Sequence, residues 1–275
     1  MCRDRFLGAT IDDNGVEHPR VKTGARIVCV VPSITELLFD LGLGESVVGR
    51  TGFCFYPKEQ VKSVPKIGGT KDFDLQKLAA LNATHLIVNI DENPKELVDA
   101  ARVIVPNIIV THPITPMDNI KLYELLGSIF CRDQEVKSLS DAFRSAYKFL
   151  QDRVESFPIE RVAYVIWKQP WMSISNDTYI ANMLKLVGWE QIDWQKKDRY
   201  PVIDLSQTYS KVDRILLSTE PYAFRPKDVE ELRAEIGPQG EPKVSLIDAE
   251  MTSWYGSRAI GGLRYLYDFK KQNLK

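Results

Sequence analysis

The chain has 275 residues, enough for one large or two small hydrophobic cores, and it is 44% hydrophobic and 27% charged. Its 36 basic and 37 acidic residues leave a net charge of -1, without the basic footprint of a nucleic-acid binder. No apolar run approaches the ~20 residues of a membrane span, and residues 1–25 lack the segments of a signal peptide, so the sequence as written reads as cytoplasmic.

In chain order, Asn14-Gly15 between two semi-apolar runs, starting near Phe6, predicts a hairpin. Arg26 to Val31 predicts a buried strand running into Pro32-Ser33-Ile34-Thr35-Glu36. There Ser33 or Thr35 can cap a helix, and Glu36, three after Ser33, completes a capping-box spacing. That helix is expected to stop at Gly42. Val47-Val48-Gly49 predicts a strand, and Asp74 caps a helix carrying Leu75, Leu78 and Leu81. His85 to Asn89 and Ile104 to Val110 read as strands, with helices opening at Asn93-Pro94 and from Ile120 to Phe130.

Asp133 to Phe157 is the longest helical pattern. Val136, Leu139, Phe143, Tyr147, Leu150 and Val154 recur at steps of three and four, and Pro158 ends the run. Beyond it the alternation restarts with strands at Arg161 to Trp167, Arg214 to Ser218 and Pro242 to Ile247. Between and after them come a helix from Asp177 to Val187, a helical turn at Leu205 to Tyr209, and helices from Lys227 to Glu235 and Gly256 to Phe269. Strands alternating with helices imply parallel sheets with crossover connections. The expected fold is α/β, with two Rossmann-like lobes, residues 1–132 and 158–275, joined by one long helix, residues 133–157.

Open parallel sheets bind ligands outside the carboxyl ends of their strands. In the first lobe those positions hold Ser33, Arg50, Thr51, Phe53, Thr70, Lys71, Asn89 and Asp91; in the second, Trp167, Lys168, Trp171, Glu220, Tyr222, Trp254, Tyr255 and Arg258. Aromatics with a few charges suit a flat, partly apolar ligand with polar edges. Each residue also has a plain structural reading. The tryptophans can simply pack, Arg258 can pair with Glu250 or Asp248, and Glu220 can be a turn carboxylate. The group favours function because topology brings it together.

No catalytic pattern competes. GxSxG and Gly-rich phosphate loops are absent, Ser33 and Ser257 lack a patterned histidine, and Asp91-Glu92 reads as a solvated turn. His18, His85 and His112 are too scattered for a histidine-built metal site. Cys29, Cys54 and Cys131 read as free thiols, as does Cys2 unless it is the lipidated first residue of a processed lipoprotein. The chain is therefore expected to be a binding protein, not an enzyme, that requires no cofactor.

The segment Arg26 to Leu38 with its Pro-Ser-Ile-Thr-Glu run, Val47 to Thr51, Ile67-Gly68-Gly69-Thr70, Trp171-Met172-Ser173, Asp177-Thr178 and Leu184 to Gly188 resemble, in this order, a known family. It is the helical-backbone (class III) solute-binding proteins of vitamin B12, ferric siderophore and haem importers. Signal-less members labelled cobalamin-binding look most similar, through Ser-Trp-Tyr-Gly-Ser-Arg at 253–258. The resemblance implies two lobes bridged by a rigid helix, with cobalamin, haem or a ferric chelate in the cleft and an ABC permease as partner.

Two departures stand out. Aromatics that stack on the corrin in B12-binding members correspond to Thr70 and Asn89, and the surface glutamates that dock on the permease correspond to Gln76 and Lys185, with Glu36 and Asp177 nearby as substitutes. Two other expectations follow: a cytoplasmic enzyme or sensor using Arg50, Lys71, Asp91, Lys168, Glu220 and Arg258 on a polar metabolite, or an envelope lipoprotein or periplasmic protein whose signal peptide was removed.

Overall fold

A computed structural model describes residues 10–237 and 242–274. Cys2 and the start of the expected hairpin lie outside them. The chain divides into two compact units. The first holds the residues up to Pro113, Met117–Phe143 and Tyr255–Arg258; the second holds Ile114–Pro116, Arg144–Trp254 and the residues from Ala259 on.

In the first unit β1 (Ile27–Cys29) leads into α1 (Pro32–Asp40), followed by β2 (Val47–Arg50), α2 (Leu75–Ala80), β3 (His85–Asn89), α3 (Lys95–Ala101), β4 (Asn107–Thr111) and α4 (Asp118–Ile129). The strands are all parallel, in the order β2-β1-β3-β4. All five residues of β3 are buried, as expected for a central parallel strand covered on both faces. Val28, Leu86, Val88, Ile108 and Val110 pack with Leu78 and Val98.

Asp74 caps α2 as expected, accepting the Gln76 and Lys77 amides at 2.8 and 3.1 Å. The capping box expected at Ser33 does not form. Proline favours the first helical position, so α1 begins at Pro32 with Val31 as its cap; the Thr35 hydroxyl donates back to Val31 O at 3.0 Å. Residues 11–17 form a turn around buried Asp12 with one antiparallel bridge, Ile11 to Glu17. The Asp12 carboxylate accepts the amides of Asn14, Val16 and Val110 and faces His18 Nε2 at 3.0 Å.

The long helix α5 (Asp133–Val154) buries Val136, Phe143, Ala146 and Leu150. It stops three residues before the expected Phe157, whose ring stacks on Tyr267 at 5.6 Å; the residue before a proline resists helical geometry. Its residues through Phe143 belong to the first unit and those from Arg144 to the second.

In the second unit come β5 (Glu160–Trp167), β6 (Met172–Ser173), α6 (Tyr179–Lys185), β7 (Trp189–Gln191), β8 (Arg214–Ser218), α7 (Pro226–Ile236), β9 (Lys243–Ile247), α8 (Ala249–Ser253) and α9 (Arg258–Gln272). β5, β8 and β9 are parallel neighbours. The other edge of β5 is shared, β7 running parallel at its start and β6 antiparallel at its end. Both edge strands are too short for a periodicity signal, so the sequence pattern missed them. The closing helix expected from Gly256 to Phe269 is α9, and the short α8 precedes it without having been expected. Ala163, Val165, Ile215, Leu217 and Val244 form the core with Phe224 and Leu232.

Candidate ligand-binding site

In the first unit, Arg50 at the end of β2 is 4% exposed, and its guanidinium donates to the carbonyls of Val61, Thr51 and Cys54 at 2.9–3.1 Å. These bonds shape the following loop. Thr51 is fully buried; its hydroxyl accepts the Phe53 amide at 3.2 Å and lies 3.2 Å from Cys54 Sγ. A loop tied from inside carries its alternate side chains outward, leaving Phe53 55% and Phe55 49% exposed. Burial pushes the Cys29 and Cys54 thiols up, so both stay protonated.

Asn89 at the end of β3 is buried; its side-chain carbonyl accepts the Asp91 amide at 2.8 Å, turning the chain so that Ile90 is exposed. Asn93 reaches Thr70 O at 2.8 Å, and Lys71 Nζ donates to Asp91 O at 2.8 Å, tying the 68–71 turn to the same loop. An Asp91 carboxylate oxygen is 3.5 Å from His112 Nε2. The Ser33 hydroxyl is buried and, among the described residues, has no hydrogen-bond partner.

Onto this unit folds Tyr255–Arg258, which sequence order groups with the second lobe. Tyr255 donates to the Glu92 carboxylate, Gly256 N to Asn119 Oδ1 at 2.6 Å, and Tyr123 Oη to Gly256 O at 2.8 Å. Arg258 grips Glu36 with Nε at 2.8 and Nη2 at 2.6 Å, and its guanidinium lies 4.0 Å from the Tyr56 ring centroid. Glu36, expected to cap a helix or to stand at a docking surface, is thus bound to Arg258. Trp254, in the second unit, is buried.

The second unit gathers aromatics at the carboxyl ends of β5 and β8. Trp167, 39% exposed, meets Tyr222 edge-on at 5.6 Å; Tyr222 meets Phe224 at 4.6 Å, and Phe224 stacks on Trp171 at 6.1 Å. One open indole is thereby braced by three rings. Lys168 pairs with Asp228 and Glu231 at 3.0 and 2.9 Å, and these carboxylates raise its pKa. Glu220 is half-buried, and its carbonyl accepts from the Ser218 hydroxyl at 2.6 Å.

Burial and bonding thus separate two groups of the expected residues. Arg50, Thr51, Asn89 and Lys168 are engaged in shaping loops, while Phe53, Trp167 and, half-buried, Tyr222 and Trp171 offer apolar surface. Phe55, Tyr56 and Ile90 join these loops without having been singled out; they lie within segments that follow strands, which was the signal available, and Glu92, expected in a solvated turn, is half-buried and accepts from Tyr255. Among the described residues, no group of three or more His, Cys, Asp or Glu could hold a metal ion, and no helix is long and apolar enough to cross a membrane.

Residues 27–235 match the model of the periplasmic binding protein family. The chain is 21% identical over 193 residues to a vitamin B12-binding protein of Yersinia pestis (strain Pestoides F), covering 70% of this chain and 68% of that one. Its fold is similar to the periplasmic vitamin B12 binding protein BtuF of Vibrio cholerae, with a TM-score of 0.78, 18% identity, and 91% and 98% of the two chains covered. It is also similar to the periplasmic heme-binding protein RhuT from Roseiflexus sp. RS-1, with a TM-score of 0.71, 20% identity, and 90% and 100% covered.

Proposed function

We propose, for a chain that belongs to the periplasmic binding protein family, that it holds a flat chelate ligand, a corrinoid, haem or ferric siderophore, through its carboxyl-end loops. The observation carrying this reading is Trp167, an exposed indole braced by Tyr222, Phe224 and Trp171 at the end of β5. A rigid aromatic face buries a large apolar area of a flat ligand at little entropic cost. Phe53 is the corresponding contact in the first unit, with Phe55 and Ile90 beside it. Tyr255 and Arg258 shape the first unit's loops, and Ser33 supplies a polar contact. Similarity to proteins named for binding vitamin B12 and haem supports this class of ligand. The domain organisation proposed with it is 1–132, 133–157 and 158–275.

Proteins of this family serve as substrate-binding components of ABC importers. For this chain we propose a derivative with altered docking. Gln76 on α2 and Lys185 on α6 are both exposed, a neutral amide and a cation where glutamates would meet a permease's arginines. Fractionating cells that carry the natural gene tests this: recovery in the cytoplasm is expected, and an envelope-bound protein refutes it.

Ligand binding is tested by titrating the purified protein with cobalamin, haem and a ferric siderophore while following absorbance. One of them should bind saturably at micromolar concentrations, and Trp167→Ala should weaken it about tenfold, the loss of one aromatic anchor. No spectral change with any of the three refutes the reading.

A further inference from the structure

Phe53 is exposed, so core packing does not place its ring. What lies beside the ring comes from a later stretch of the chain. Past β2 the backbone runs along residues 65–68: Arg50 N donates to Pro65 O at 3.0 Å, Ile67 N to Arg50 O at 2.9 Å and Gly52 N to Gly68 O at 2.7 Å. Lys66 is thereby the parallel bridge partner of Arg50. This short ladder brings Phe53 against Gly69, where a Cβ would lie 3.5 Å from Phe53 Cε2, in van der Waals contact with the ring.

The turn that carries Gly69 is anchored at both ends. Ile67 and Phe73 are 1% and 3% exposed, and Asp74 N donates to Ile67 O at 2.6 Å. Thr70 and Lys71 are tied to the 89–93 loop through Asn93 and Asp91. Within the turn, Asp72 Oδ1 accepts the Gly69 amide at 3.1 Å. Asp72 is itself exposed, so its carboxylate shapes the turn by this bond and not by burial. The same oxygen occupies the space that a side chain at position 69 would need, and a Cβ there would collide with it. Glycine at 69 and the carboxylate at 72 therefore depend on each other: any larger residue drives Oδ1 off its donor.

We propose that Gly69 and Asp72 are positioning residues for the ligand-facing ring of Phe53, which rests on the reading of Phe53 as the first unit's contact. The Asp72 carboxylate latches the turn against which the ring lies, and glycine is the residue that lets the latch close. A ring held in one setting before the ligand arrives loses little freedom on binding, whereas an unlatched turn leaves only part of the molecules ready to bind and lowers the apparent affinity by that fraction. Neither residue needs to touch the ligand.

The test uses the full chain and two readouts. Titration with cobalamin, haem and a ferric siderophore measures affinity. Fluorine NMR of protein grown with fluorophenylalanine reports the setting of the ring without ligand, the Phe53 signal being the one missing from Phe53→Leu. Gly69→Ala and Asp72→Ala, with wild-type circular dichroism spectra, should each weaken binding about fivefold, the worth of one hydrogen bond, and shift the Phe53 signal. Asp72→Asn keeps a side-chain carbonyl that can accept the Gly69 amide, so it should retain wild-type affinity and signal. Unchanged affinity or an unshifted Phe53 signal in the two alanine variants overturns the proposal, and so does an Asp72→Asn variant that behaves like Asp72→Ala. Absence of saturable binding by the wild-type chain overturns the underlying reading and with it the role in binding, an outcome that the fluorine signal tells apart from failure of the latch.

Discussion

The Arg258–Glu36 pair gives a sharp test of how the late segment 255–258 is fixed to the first unit. Both side chains are mostly buried, at 11% and 18% exposed, and two N–H groups meet the two carboxylate oxygens. Unit charges about 4 Å apart at an effective dielectric near 20 attract by ~4 kcal/mol, and desolvating the pair removes a good part of that. A net coupling of about 2 kcal/mol is expected, and Arg258→Ala should cost about 3 kcal/mol, because it also removes the stack on Tyr56. The assay is a double-mutant cycle of Arg258→Ala and Glu36→Gln by urea unfolding. All five tryptophans, Trp167, Trp171, Trp189, Trp194 and Trp254, lie in the second unit, so the cycle must be followed by far-UV circular dichroism rather than by tryptophan emission. A coupling below about 0.5 kcal/mol would refute the reasoning, since it is the value of an exposed pair.

The same unfolding assay checks three further expectations. Gly256 has φ +83°, and a Cβ there would lie 3.3 Å from Leu37 Cβ and Ser33 O, so Gly256→Ala should destabilise by about 1–2 kcal/mol; an unchanged midpoint would contradict this. Asp12→Ala strands three amide donors and His18, and about 3 kcal/mol should be lost; less than ~1 kcal/mol would mean that water replaces the carboxylate. Burial, and then the charge of His18, lower the His85 pKa from 6.5 to about 4. Between those values the unfolded chain binds more protons, so the neutral-histidine stability present above pH 6.5 should fall as pH drops toward 4. His85→Gln should flatten that slope, and an identical pH profile would remove the effect.

Glu160 adds a loss of stability at lower pH through a shift in the same direction, its pKa also being lowered in the folded chain, where hydrogen bonds from Lys270, Trp189 and Arg214 outweigh its burial. Its folded pKa of about 2 lies below the ordinary 4.5, so its contribution is complete above pH 4.5 and is lost as pH falls toward 2. Glu160→Gln should be less stable at neutral pH and less sensitive to acid in that window. Equal acid sensitivity would contradict the linkage.

Local chemistry alone determined much of this protein. Apolar runs marked the central strands, Asp74 announced its helix, the three-four spacing marked α5, and strand-helix alternation gave two α/β halves. Such signals are legible because helix and strand periods, caps and proline constraints act within a few residues. They also pointed to the segments that follow strands, Trp167 and Phe53 among them. They could not say which side chains in those segments stay open, because burial depends on neighbours distant in sequence. Arg50 and Asn89 are closed in by backbone groups of adjoining loops. Arg258 finds Glu36 222 residues away, and Glu160 finds Lys270 across 110, each through chain crossings that no local pattern encodes. Only the tertiary structure decided those pairs, because a buried charge takes its partner from whatever the fold brings within hydrogen-bond reach.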